Sequence, residues 1–261
     1  MQQRTNKKIK KRKAKRKLKK IMFLLVFIIL GIFLVLKAGL FRIKSIDIRG
    51  NSQVKSEEIL KAAGLSQGQN YNFTEKNKII LNLKKLSFVK DANIKFSLRG
   101  NLKIFITERH PIGEVKGLTS YIIDDEFRIL KTSDNFNDKL IDIEGIDTNK
   151  YEIGAFIFRN DKNLRSVSLK LLNSKYKDEI KKISYDKENL SFTLKNDIEI
   201  IFGGDEKYDY KMKLLDKVFK DVEETGKNIV SIDLVSGDDV IVVLQDDTNY
   251  ENNWDNYIEN D

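Results

Sequence analysis

Sixteen consecutive apolar residues, Ile21-Met-Phe-Leu-Leu-Val-Phe-Ile-Ile-Leu-Gly-Ile-Phe-Leu-Val-Leu36, constrain this chain more than any other feature, because they follow directly on a dense run of cations. At ~1.5 Å per residue the run spans roughly 24 Å, a little less than a ~30 Å hydrocarbon core. Lys37 can lay its stem along the apolar region and keep its ammonium at the interface, which carries the segment to Phe41. The reading is a transmembrane helix over residues 21–41. Residues 1–20 hold twelve Lys or Arg and no acid, so the positive-inside rule keeps them in the cytoplasm and sends the rest of the chain across. A cleaved secretory signal fits less well: both its basic and its apolar regions would be long, and Ala38-Gly39-Leu40 is a weak small-residue site.

The formal net charge of +9 comes from that leader. With its twelve cations set aside, the 48 basic residues become 36 against 39 acidic ones. A nearly neutral body has no broad cationic field with which to hold nucleic acid. The leader itself lies against the membrane without interleaved aromatics, which favours topology and anionic-lipid contact over nucleic-acid binding. There is no Cys, so the outer part relies on its core and not on disulfides.

The outer segment divides into two folded regions and a tail, giving an α+β protein behind a membrane anchor. Residues 42–109 read as βααββ. Residues 42–49 alternate well enough for a half-buried strand that ends at Gly50-Asn51. Ser56 before Glu57-Glu58 is the expected cap of a helix that stops at Gly64. Thr74 is the expected cap of a second helix, with Ile79, Ile80, Leu83 and Leu86 on one face. Strands over residues 88–98 and 102–108 follow, joined by a turn at Gly100-Asn101.

Residues 110–245 read as a larger mixed domain. Its expected strands cover residues 121–123, 139–143, 180–185, 190–194, 198–202, 229–234 and 240–244. Its expected helices cover 163–172 and 207–224. In the second helix Met212, Leu215, Val218, Phe219 and Val222 form an apolar stripe suited to core packing. Residues 246–261 are acidic and Asn-rich, with the composition of an unstructured tail.

Chemistry-bearing motifs are scarce. His110, the one histidine, has no Cys partner and no nucleophile turn, and reads as a structural or solvated residue. No His or Cys spacing suits a metal. Asp246-Asp-Thr-Asn249 lacks the central Gly and final Glu of a calcium loop. Gly203-Gly-Asp-Glu206 spells the opening of the diguanylate cyclase signature, but Lys207 stands where Phe is needed, and the segment belongs outside the cell. It reads instead as a strand-to-helix turn with Asp205 as cap. Carboxylates such as Asp124, Asp125, Glu126, Glu152 and Glu199 show no spacing that sets two across a cleft. The expectation is a protein without catalytic activity, cofactor or metal.

The order of these pieces resembles the FtsQ family of bacterial cell-division proteins, called DivIB in Gram-positive bacteria. Phe41-Arg-Ile-Lys-Ser-Ile-Asp-Ile-Arg-Gly-Asn51 looks like the first strand of that family's POTRA domain, a βααββ unit. Ser56-Glu-Glu-Ile-Leu-Lys-Ala-Ala-Gly-Leu65 with Gly68-Gln-Asn70 looks like its first helix and exit turn. Leu86-Ser-Phe-Val-Lys-Asp-Ala92 resembles the entry to the next strand, with Ser87 where Pro is usual. Leu102-Lys-Ile-Phe-Ile-Thr-Glu-Arg-His-Pro111 resembles the hallmark strand ending in Glu-Arg-x-Pro. Tyr121-Ile-Ile-Asp124 fits the start of the family's β domain, without the Gly that often follows. Ile200-Ile-Phe-Gly203, Lys213-Leu214 and Ile232-Asp-Leu234 match later positions.

The resemblance implies a divisome scaffold at the division septum. It would bind FtsB (DivIC)-like and FtsL-like bitopic proteins, link them to the septal peptidoglycan synthases, and act on no small-molecule substrate. It also implies that partners dock near the end of the β domain by adding a strand, here along Val240, Ile241, Val242, Val243 and Leu244. An edge strand is a template for such pairing, whereas five apolar residues in a row equally suit a strand buried on both faces. Trp254 in the tail and the strand edge over residues 43–49 are further candidate contacts. Glu108, Arg109 and Pro111 mark the domain junction. Pro111 ends the pairing there, and Glu108 and Arg109, facing opposite sides of a strand, brace it. A signal-anchored cell-wall enzyme or an envelope sensor is the alternative. A POTRA-bearing export barrel is excluded, because the residues left cannot supply a barrel of many ~10-residue strands.

Overall fold

The computed structural model describes residues 17, 19–31, 41–133, 139–187, 189–236 and 239–245. Residues 19–31 are helical, with the apolar side chains from Ile21 to Leu30 exposed. No helix among the described residues is long and apolar enough to cross a membrane. Residues 32–40, which complete the apolar run, lie outside the described residues, as do most of the basic leader and the acidic tail with Trp254. From residue 41 onward the chain forms two compact units, one through Glu108 without residues 85–88, the other from Arg109 onward with residues 85–88.

The first unit follows the βααββ order. Strand β1 (Ser45–Arg49) pairs parallel with the central β3 (Asn101–Glu108), and β2 (Val89–Phe96) pairs antiparallel on the other side. A parallel neighbour needs a crossover, which helices α1 (Ser56–Ala63) and α2 (Lys76–Leu83) supply. Period-two alternation buries Leu102, Ile104 and Ile106 of β3, and Ile59, Ala63, Ile79 and Leu83 of the helices are buried as well. Full burial of each such Leu or Ile contributes about 1.5–3 kcal/mol. Gly50 ends β1 at φ +83°, and a Cβ there would lie 2.1 Å from the Ile106 carbonyl oxygen, so only glycine fits.

The local caps differ from the sequence expectation. Ser56 is the first helical residue and Lys55 holds the cap position, without a side-chain bond. At the second helix Asn72, not Thr74, is the capping side chain. It accepts from the Thr74 N–H and starts a 3-10 turn (Phe73–Glu75) that runs into α2. The β2–β3 hairpin turns at Leu98-Arg99, with Gly100 at φ +91° behind it. Gly100 N–H donates to Ser97, and the Ser97 N–H donates to Asn101. The expected Gly100-Asn101 pair is therefore two residues late. Gly64 does end α1 in the left-handed conformation.

The second unit is built on a nine-stranded sheet in the order β12-β11-β10-β9-β8-β7-β4-β5-β6. The strands are β4 (Gly113–Val115), β5 (Tyr121–Ile123), β6 (Ile129–Thr132), β7 (Ile141–Glu144), β8 (Ile180–Asp186), β9 (Asn189–Leu194), β10 (Glu199–Gly203), β11 (Ile229–Asp233) and β12 (Ile241–Leu244). Helix α3 (Lys162–Leu172) makes the crossover between the parallel β7 and β8, and α4 (Tyr208–Thr225) that between the parallel β10 and β11. Strands β4 and β6 are not among the strands expected from the sequence: Gly113-Glu-Val115 and Ile129-Leu-Lys-Thr132 lack the unbroken apolar, β-prone run that marks Tyr121-Ile-Ile123.

One face of this sheet buries Ile143, Ile183, Tyr185, Leu190, Phe192, Ile200, Phe202 and Ile232 with Leu164, Val167, Leu171 and Leu172 of α3 and Leu215 of α4. Met212, Val218 and Phe219 pack half-buried on the same core, so the α4 stripe serves packing. Lys211 is buried beside it and donates to the Phe202 carbonyl at 2.8 Å; burial lowers its pKa. Asp205 does not cap α4. Lys207 holds that position at φ 53°, while the Asp205 carboxylate pairs with Lys170 of α3 at 2.7 Å.

Candidate interaction surface

A sheet edge presents unpaired backbone groups unless something covers them, so the ends of the nine-stranded sheet are where a partner strand could add. At the β6 end the edge is covered. The Ile129 N–H donates to Ala155 at 2.9 Å, the Gly154 N–H to Ile129 at 2.8 Å, and the Ile157 N–H to Phe127 at 2.9 Å. An isolated bridge joins Arg128 to Phe156.

At the other end lies β12. Among the described residues it pairs with β11 alone, Ile241 opposite Asp233 and Val242 opposite Ile232, and a bulge at Val230 lies in the β11 strand. The Gln245 N–H donates into the sheet to Asn228 at 3.0 Å. Because backbone groups alternate sides along a strand, those of Ile241 and Val243 face β11, and the N–H and C=O of Val242 and Leu244 point away from it. Ile241 is 63% exposed, the other three are half-buried, and Val240 packs against the core. Among the described residues, four of the five apolar residues, Ile241–Leu244, therefore form an edge strand and not one buried on both faces, and Val240 precedes it. Between β11 and β12, the Ser236 hydroxyl donates to the Asp239 carbonyl; Gly237 and Asp238 lie outside the described residues.

Glu108 and Arg109 are adjacent in sequence but serve different units. Glu108 is buried and accepts from the Ser52 hydroxyl (2.7 Å) and the N–H groups of Gln53 and Val54 (2.9 Å each), fixing the loop that leads into α1. Burial raises its pKa, but hydrogen bonds from Val54, Gln53 and Ser52 outweigh that and hold it below its ordinary value. Arg109 is equally buried and forms ion pairs with Asp124 and, at 2.8 Å, with Glu126. His110 and Pro111 are exposed.

Sequence reasoning missed what Asp124 does. It is fully buried and accepts from the backbone N–H groups of Glu126 (3.0 Å) and Arg128 (2.7 Å), which folds the β5–β6 turn around it and sets Phe127 at φ 60°. An Asp closing its own chain two and four residues on is an Asx-type turn signal that the sequence does contain. Phe156, in the segment that covers β6, lies within 5.5 Å of the guanidinium carbons of Arg109, Arg128 and Arg165. Among the described residues no group of three or more His, Cys, Asp or Glu could hold a metal ion.

Comparison with known proteins agrees with this two-unit architecture. Residues 41–109 match the POTRA domain of FtsQ type, and residues 114–235 match the C-terminal domain of cell division protein FtsQ/DivIB. The chain is 30% identical over 202 residues to the cell division protein DivIB of Clostridium tetani, an alignment covering 74% of this chain and 75% of that protein. It is 28% identical over 155 residues to the DivIB of Clostridium acetobutylicum, covering 56% of this chain and 62% of that protein. It is also 28% identical over 150 residues to a DivIB of Clostridium botulinum, covering 54% and 55%. The chain belongs to the FtsQ/DivIB family of bacterial cell-division proteins.

Proposed function

We propose that this chain is a non-enzymatic divisome scaffold and a bitopic membrane protein. Residues 21–41 cross the bilayer, residues 1–20 stay in the cytoplasm, and residues 42–109 and 110–245 form a POTRA domain and a β domain outside it. The outer domains bind FtsB/DivIC-like and FtsL-like bitopic proteins at the septum and help to control septal peptidoglycan synthesis. Family membership supports the division role. The observation that carries the docking site is the β12 edge, where Val242 and Leu244 turn their N–H and C=O groups outward beside an exposed Ile241. A partner strand laid there gains main-chain hydrogen bonds for affinity, and alternate side-chain positions give it specificity.

The test uses Val242→Pro, which removes one outward N–H without touching the ladder to β11. The variant should reach the membrane at normal levels, lose capture of the DivIC-like partner and fail to give a midcell band as a fluorescent fusion. Capture and a midcell band equal to those of the unsubstituted chain would refute docking at β12. A uniform envelope signal from the unsubstituted chain would refute the septal role itself.

A further inference from the structure

The end of the first unit at which the chain enters, at Phe41, carries an aromatic cluster that is only partly buried. Phe41, Tyr71, Phe73 and Phe96 meet there with ring centroids 4.8–5.7 Å apart, in edge-to-face contacts and one stacked pair. Backbone bonds fix the arrangement. The Tyr71 N–H donates to Phe41 at 2.7 Å, and the Ile43 N–H donates to Gln69 at 2.8 Å. Tyr71 is buried, but Phe73 is 52% exposed.

The hairpin tip is bound to the same end. The Lys44 N–H donates to the Gly100 carbonyl at 2.8 Å, and Gly100 lies so close to Arg42 and Lys44 that a Cβ would meet the Arg42 carbonyl oxygen at 2.8 Å. Leu98 at that tip is 64% exposed. Arg42, Lys44 and Arg99, neighbours in sequence of these apolar groups, are exposed, and Glu75, two residues beyond Phe73, accepts from the Asn72 side chain. Exposed aromatic and aliphatic side chains ringed by Lys and Arg are the composition of a surface that rests in a lipid headgroup layer.

Chain length fixes the same end near the bilayer. The apolar run ends at Leu36, and the interfacial stretch of residues 37–41 that completes the proposed span carries the chain to Phe41, itself part of the cluster, within at most roughly 18 Å. We infer that this end of the POTRA unit docks on the outer surface of the membrane, with Phe73 and Leu98 in the headgroup layer and Arg42, Lys44 and Arg99 against anionic phospholipid. The inference rests on the anchor over residues 21–41 proposed above.

The test places single tryptophans in the full-length chain, on a background in which Trp254 is replaced by Phe, reconstituted in vesicles of phosphatidylcholine and phosphatidylglycerol. The F73W indole should emit to the blue and be quenched by lipid brominated near the glycerol end of its acyl chains. A Leu118→Trp indole, at a site 88% exposed in the second unit, should be quenched by aqueous iodide instead. A Phe27→Trp indole, inside the apolar run, reads the anchor separately. Bromolipid quenching of F27W without quenching of F73W would overturn the docking and leave the anchor standing. No quenching of F27W would overturn the anchor and the docking with it. Replacing phosphatidylglycerol by phosphatidylcholine should weaken quenching of F73W and leave F27W unchanged; equal quenching of F73W in both lipids would overturn the role given to the three cations.

Discussion

At the β6 edge of the nine-stranded sheet, residues 154–157 take up the outward backbone groups of Phe127 and Ile129, whereas at the β12 edge no strand or bridge among the described residues pairs with the outer side. The two edges differ in their supports as well. Beside β6 stand a buried carboxylate, a buried guanidinium and a phenyl ring ringed by three arginines. Beside β12 stand exposed Ile241 and a bulged neighbour strand. A sheet that ends in an uncovered apolar strand risks indiscriminate pairing. On the docking proposed above, covering one edge with the chain's own residues and leaving the other unpaired among the described residues would confine strand addition on this sheet to the β12 side.

The largest expected effect comes from dismantling the closed edge. Asp124→Ala strands the buried Arg109 charge against Glu126 alone and releases the N–H groups of Glu126 and Arg128. Breaking a buried pair from one side costs about 3–5 kcal/mol, to be read as a lower urea midpoint in the full-length chain. Next comes Ile129→Pro. It deletes the donor to Ala155 at a fully buried position and leaves that carbonyl unpaired, for about 3 kcal/mol. A loss under about 1 kcal/mol for either variant would mean that the covering segment is not what closes this edge.

How much of this contrast could be read from sequence depends on how far apart the interacting residues lie. Strands such as β3 and β9 show their alternation within six or eight residues and were legible. Gly64 announced the end of α1 because only glycine enters the left-handed region cheaply. The helix starts were less legible, since Lys55-Ser56 and Asn72-Phe73-Thr74 each offer more than one polar group at the right place, and packing chooses between them. The apolar run from Val240 to Leu244 was compatible with an edge or a centre. Only the strand order, a property of the whole sheet, decides between them. The Arg109–Asp124 pair spans fifteen residues and a turn, and nothing local in either segment announces it.

Gly154 tests the covering segment more gently. It sits at φ +87°, and a Cβ added there would have its nearest heavy atom 3.6 Å away, so Gly154→Ala meets conformational strain and no clash. A left-handed non-glycine residue costs about 1–2 kcal/mol. Amide exchange should quicken at Ile129 and Gly154, whose N–H groups bond across the closed edge, and stay unchanged in β8 and β9. Faster exchange throughout the sheet would mean that the segment is part of one cooperative core and not a cover.

The smallest expected effect on stability is the one that defines the open edge. In β12 the Val243 N–H faces β11, so Val243→Pro removes a ladder bond and should cost about 1–1.5 kcal/mol. The Val242 N–H points away from the sheet, and Val242→Pro should cost no more than about 0.5 kcal/mol, since proline is tolerated on an edge whose N–H side faces solvent. The same residue type, one position apart, thus separates folding from docking: the Val243 variant weakens the sheet, and the Val242 variant spares it while blocking strand addition. If both variants shifted the urea midpoint equally, Val242 would be bonded on its outer side as well, and the β12 edge would be no more open than the β6 edge.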